Sequence, residues 1–154
     1  MVEWRALADV AVRPLPGRAF LAAGASSVDH AGFHRDVLHW QASFLTHAGD
    51  TWALHFEDAG RFAAALYGAW HAGKTVVLPG DALSGTQARL RVQVDGFAGD
   101  WIESDMRAPD HAPDADAVMS ALDADATRLV VFTSGSTGEP VAIEKRLHQL
   151  DAEV

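Results

Sequence analysis

The segment from Thr51 to Leu90 constrains the fold more than any other part of the chain: it runs TWALHF, EDAG, RFAAALYGAWHAG, KTVVLPG and DALSGTQARL. TWALHF and TVVL are short runs rich in β-branched and aromatic residues. Between them Phe62, Leu66 and Trp70 step by four, the spacing of one helical face, and Gly73 supplies a stop. Two strands joined through a helix by short links lie parallel, with a right-handed crossover. A third helix is predicted from about Gly85, with Ser84 and Gln87 at the spacing of a capping box. Parallel strands need cover on both faces, so the expected fold class is α/β, a mostly parallel sheet flanked by helices.

The flanks extend this pattern. Arg18–Gly24 reads as a short strand or hairpin arm, and Asp29 as the N-cap of a helix running to about His47. Phe33, Val37, Trp40 and Phe44 step by four, three and four, so that face should be buried. DGFAGDWI predicts a short strand around Trp101. The stretch 103–127 carries aspartates, Pro109 and Pro113 and reads as a solvated acidic linker with one helix near Pro113–Leu122. RLVVF returns to a buried strand, VAIEK alternates like another, and LHQLDAEV begins a helix. With 154 residues, 49% of them hydrophobic, and no internal repeat, residues 1–154 are expected to form one α/β subdomain.

Charge and composition narrow the chemistry. Twelve basic against 21 acidic residues give a net charge of −9, which disfavours nucleic acid or an anionic membrane as partner. No cysteine is present, so disulfides and thiolate chemistry are excluded. The N-terminal MVEWRALADVAVRPLPG lacks the apolar core of a signal peptide, and the expected location is the cytoplasm. His30 and His34 stand four apart without an evident third ligand and read as exposed helix residues, so no metal site is expected. Asp105, Asp110, Asp114 and Asp116 lack calcium-loop spacing and read as part of the linker. The aromatic residues Phe33, Trp40, Phe44, Phe62 and Trp70 have the helical spacing of core packing rather than that of an acyl pocket.

The chemistry-bearing stretch is VVFTSGSTGEPVAIEKR, residues 130–146. Thr133, Ser134, Gly135, Ser136, Thr137 and Gly138 place four hydroxyls and two glycines between two β-type runs. A solvated hairpin turn is one account of them. The other is a cradle for phosphate oxygens, in which glycines let backbone N–H groups turn inward and hydroxyls add donors. The stretch is not the P-loop of large NTPases, because it lacks the Gly-Lys pair and runs into a strand, and no GxGxxG is present. Without a helix behind it, such a loop would hold an anion by backbone and hydroxyl donors rather than by a helix dipole.

TSGSTGEP resembles the phosphate-binding signature of the ATP-dependent AMP-binding, or adenylate-forming, enzymes: acyl-CoA synthetases, aryl acid ligases and peptide-synthetase adenylation domains. The segment GDTWALHFEDAGRFAAALYGAWHAGKTVVLPGDALSGTQARL is similar, element by element, to the part of that family ahead of the loop. The resemblance implies the N-terminal subdomain of an adenylate-forming ligase. It further implies that Thr133, Ser134, Gly135, Ser136, Thr137 and Gly138 embrace the pyrophosphate part of ATP while a carboxylic acid attacks the α-phosphorus to give an acyl-adenylate. ATP with magnesium is the implied cofactor, and CoA or a carrier protein a possible acceptor. EPVAIEKRLHQLDAEV is similar to acyl ligases of bacterial fatty-acid-like or aryl polyene pathways, which leans toward an acyl substrate.

Two departures qualify what the resemblance implies. Where the family usually has lysine after the proline, Pro140 is followed by Val141, and the next cations are Lys145 and Arg146. On a strand, Val141 and Lys145 share a face but lie about 13 Å apart at about 3.3 Å per residue, too far for a simple exchange of roles. The family's later motifs, for ribose, magnesium and the catalytic lysine, have no counterpart here. The expectation is therefore the N-terminal fragment of a longer ligase, inactive alone and holding no catalytic residues or magnesium ligands of its own. The alternative is a free-standing, non-catalytic α/β module that binds a nucleotide or phosphate. A reading frame that runs on past Val154 would separate the two.

Overall fold

In the computed structural model, residues 5–13, 15, 17, 19–23, 26–134 and 138–153 are described, with the backbone alone at 19–23, 26, 27 and 134. After a 3-10 turn, Leu7–Asp9, come β1 (Ala19–Ala23), β2 (Ser26–Asp29), α1 (His30–Thr46), β3 (Thr51–His55), α2 (Ala59–His71) and β4 (Thr75–Leu78). Then follow α3 (Ser84–Leu90), β5 (Gly96–Gly99), β6 (Arg128–Ser134), β7 (Pro140–Arg146) and α4 (Leu147–Glu153). β1 and β2 form an antiparallel hairpin. The main sheet has the order β5-β3-β4-β6-β7, parallel from β5 to β6 and closed by the antiparallel pair β6–β7. This is the expected α/β architecture.

Local chemistry sets the helix ends. Asp29 caps α1 by accepting from Gly32 N at 2.7 Å, and Asp58 caps α2 by accepting from Arg61 N at 2.7 Å. α2 ends in a Schellman motif: Gly73 has φ +78°, its N–H reaches Trp70 O at 3.0 Å, and Lys74 N reaches Ala69 O at 2.9 Å.

The chain moves from β3 to β4 in one direction across the sheet and from β4 to β5 in the other. Right-handed crossovers then place α2 and α3 on opposite faces. Side chains alternate accordingly. Trp52, Leu54, Val76, Ala98 and Leu129 pack with α1 and α2, whereas Ala53, Val77, Phe97 and Trp101 pack with Leu90 of α3. The predicted α1 stripe is buried in full: Phe33, Val37, Trp40 and Phe44 belong to the core. On α2 Gly68 lies directly against Trp40 of α1, and Tyr67 meets Phe33 edge-on at 5.8 Å between ring centroids. Phe62 and Leu66 pack at its margin.

Four expectations are corrected. No helix forms over 113–122; apart from a turn in which Ala117 N donates to Asp114 O at 3.0 Å the segment is irregular, Met119 is buried and Leu122 N donates to Ala8 O at 3.1 Å, so tertiary contacts hold it. The stretch 103–127 is also not uniformly solvated. Asp105 Oδ2 accepts from Phe97 N at 2.8 Å, Met106 is buried beside Ala98, and Asp110 N donates to Ser43 Oγ at 2.9 Å. The strand expected around Trp101 ends at Gly99, and Trp101 turns inward to donate from Nε1 to Ala53 O at 3.1 Å. Finally, His30 and His34 are half-buried rather than exposed, and His34 Nδ1 lies 2.7 Å from Ala11 O.

Candidate functional site at the β6–β7 hairpin

The sheet brings the C-terminal ends of β3, β4, β5 and β6 to one edge, where α/β proteins place their ligand sites. The described ends of the TSGSTGEP stretch, Thr133 and Ser134 on one side and Gly138 to Pro140 on the other, lie there. Thr133 and Ser134 are the last residues of β6, Thr133 paired with Val141 and Ser134 with Pro140. Gly138 has φ +82°, a left-handed backbone that a side chain would resist, with open space where a Cβ would stand. Gly135, Ser136 and Thr137 lie outside the described residues. β7 follows directly, so the stretch runs from strand to strand, as its alternation predicts.

A cleft of about 580 Å³ opens between this hairpin and the β4–α3 connection. Phe132, Thr133, Gly138 and Glu139 form one side; Pro79, Asp81, Thr86 and Arg89 stand on the other. Sequence reasoning missed the second side, because it assigned Ser84 and Gln87 to a capping box. Leu83 is the N-cap residue of α3 and makes no side-chain capping bond. Asp81 does the local work: its Oδ1 accepts from Leu83 N at 3.0 Å and from Thr86 Oγ1 at 2.5 Å. These bonds, led by that of Thr86, hold the Asp81 carboxyl below the usual carboxylate range. Gln87 turns away and donates to Glu103 O at 2.6 Å. The signal that could have found this side is PGD followed by Thr86 and Arg89, three apart on one helical face.

The cations of β7 are engaged elsewhere. Lys145 pairs with Glu153 of α4, and Arg146 donates to Asp125 O. Val141 is exposed and uncharged at the position opposite Thr133. Among the described residues, no group of three His, Asp or Glu side chains is arranged to hold a metal ion. The aromatic residues considered for an acyl pocket form the α1–α2 core, with Phe62 at its edge.

Two titratable positions shape the acid response. Burial, and then the charge of His34, push the His71 imidazole down to about 4, and its Nε2 is buried with no hydrogen-bond partner among the described residues. Burial works to raise Asp110, but hydrogen bonds from His111 and His47 outweigh it and hold the carboxyl at about 2. For His71 the folded value lies below the unfolded one, so its neutral form stabilises the fold above pH 6.5 and that contribution is lost as pH falls toward 4. Discounted for solvent screening of the partly exposed ring, the loss should be on the order of 1–2 kcal/mol. Urea midpoints measured from pH 7 to 4 should fall through this window, and His71→Leu should flatten the profile; an unchanged profile in that variant would refute the assignment.

The fold has clear relatives among solved structures. The Klebsiella oxytoca NpsA N-terminal subdomain, in complex with 3-hydroxyanthranilyl-AMSN, matches with a TM-score of 0.69 at 16% identity, over 94% of this chain and 41% of that one. The o-succinylbenzoate CoA synthetase MenE of Bacillus subtilis matches with a TM-score of 0.62 at 18% identity, over 86% of this chain and 31% of that one. The amide bond synthetase McbA of Marinactinospora thermotolerans gives 0.60 at 15% identity, over 91% and 34%. No family model matches the sequence, and no curated protein matches it. The chain therefore has the α/β fold of the N-terminal subdomain of adenylate-forming ligases. It spans between 31% and 41% of the length of these neighbours.

Proposed function

We propose that this chain is the N-terminal part of an ATP-dependent acyl or aryl acid ligase, to which it contributes the pyrophosphate-binding hairpin TSGSTGEP. The observation that carries the proposal is the position of the strands that this hydroxyl- and glycine-rich sequence joins: β6 ends and β7 begins at the carboxyl edge of a sheet that has the fold of adenylate-forming ligases. Thr133, Ser134, Gly135, Ser136, Thr137 and Gly138 would hold the pyrophosphate oxygens by hydroxyl and backbone donors. In the whole enzyme a substrate carboxylate would displace pyrophosphate from the α-phosphorus of ATP, and the acyl group of the resulting adenylate would pass to the thiol of CoA or a carrier protein with release of AMP. Magnesium would be held by residues outside this chain. No helix among the described residues is long and apolar enough to cross a membrane, and we place the enzyme in the cytoplasm, without nucleic acid or membrane as partner.

Alone, residues 1–154 should show no ATP–pyrophosphate exchange with any panel of fatty or aromatic acids, because binding phosphate without positioning the carboxylate gives no chemistry. Exchange above a no-enzyme control would overturn the fragment proposal. The chain should nevertheless bind pyrophosphate, and Gly135→Val should abolish that binding, since a β-branched residue would intrude where phosphate must approach.

A further inference from the structure

The cleft beside the hairpin contains a cation, whereas the TSGSTGEP stretch has none. We propose that Arg89, on α3, is the phosphate-binding cation of this site, reaching across the cleft toward the group held by Thr133 and Gly138. The inference rests on the phosphate-binding role proposed above for the hairpin.

Three observations carry it. Arg89 lines the same cleft as Thr133, Gly138 and Glu139, and it is the one cationic side chain among the described residues that do so. The cations nearest in sequence to the hairpin are committed: Lys145 to Glu153, Arg146 to Asp125 O, and Arg128 lies 3.9 Å from Glu144. Arg89 itself forms no ion pair within 4.0 Å among the described residues. Its Nη2 donates to Thr86 Oγ1 at 3.1 Å and its charge helps to hold Asp81 ionised, while its other N–H groups make no hydrogen bond among the described residues.

That one bond also anchors it. Thr86 is only 8% exposed and donates to Asp81, so the chain Asp81–Thr86–Arg89 ties the guanidinium to a fixed point on α3. A planar fork held at one corner is suited to two phosphate oxygens at once. The charge balance of the cleft makes Arg89 decisive. Its other ionisable lining groups, Asp81 and Glu139, are both acidic. Without Arg89 the cleft would repel a polyanion, and Glu139 opposes binding even with it.

The test is calorimetric titration of residues 1–154 with sodium pyrophosphate at low salt, with circular dichroism to confirm folding. Arg89 is exposed, so Arg89→Gln should leave the fold unchanged while weakening binding tenfold or more. Arg89→Lys should recover at least threefold of that loss, and Glu139→Gln should tighten binding above wild type. The gap between wild type and Arg89→Gln should close in 0.5 M sodium chloride, a concentration of about half molar at which an exposed charge is largely screened. If Arg89→Gln binds within twofold of wild type while Gly135→Val does not bind, Arg89 is not the cation and the hairpin remains the site. If wild type shows no binding, or Gly135→Val binds equally well, the hairpin proposal and this one both fall.

Discussion

Gly68→Ala is expected to destabilise the chain by about 2–3 kcal/mol, although the same substitution usually strengthens a helix by up to about 1 kcal/mol. A Cβ built at Gly68 would stand 2.3 Å from Trp40 Cβ, 3.0 Å from Gln41 N and 3.1 Å from the Trp40 carbonyl carbon. No rotamer change moves any of those atoms, so α1 and α2 would have to separate. Because Trp40 also stacks near Phe44 and Phe56, the disturbance would spread through the aromatic core. Gly85→Ala on α3 provides the contrast. Its Cβ would meet only the Arg89 guanidinium, at 4.0 Å, and the change should stabilise the chain by about 0.5 kcal/mol. Urea denaturation of both variants tests the pair; a Gly68→Ala midpoint equal to wild type would show that the two helices are not in backbone contact.

Trp101→Ala should cost about 3–5 kcal/mol, the range for emptying a buried aromatic site. Trp101 is fully buried in the smaller of the two cores, where Ala53, Val77, Leu90 and Phe97 are its companions. Its ring meets Phe97 edge-on at 5.0 Å between centroids, and its Nε1 donates to Ala53 O. Leu90 is the α3 residue in this cluster, so the substitution should also loosen α3 and with it the Arg89 side of the cleft. Trp101→Phe keeps most of the packing and gives up the hydrogen bond, for about 1–2 kcal/mol. Thermal or urea unfolding of the two variants distinguishes the contributions. A Trp101→Ala protein within about 1 kcal/mol of wild type would mean that the α3 face adds little to the fold.

Such dependence on particular contacts explains which features were legible in the chain. The α1 stripe of Phe33, Val37, Trp40 and Phe44 could be read because helical spacing and burial report the same face. The N-cap at Asp29 and the stop at Gly73 are local devices within one turn of the helix ends they serve. The segment 113–122 was misread for the opposite reason. Proline near its start permits a helix, but Met119 and Leu122 find partners in the N-terminal turn and the sheet-facing core, and those contacts prevail over weak local preference.

The amino-acid sequence by itself determined the α/β class, the order and kind of most elements and the hydroxyl-rich turn between two strands, because each of these is written in periodicity or composition over a few residues. Only the tertiary structure decided the strand order β5-β3-β4-β6-β7 and the opposite faces taken by α2 and α3. It also decided that Lys145 is spent on Glu153 while Arg89 stands across a cleft from Thr133. Those outcomes depend on which distant segments share buried surface, and that free energy exists only once the chain has closed its long loops and packed its helices on the sheet.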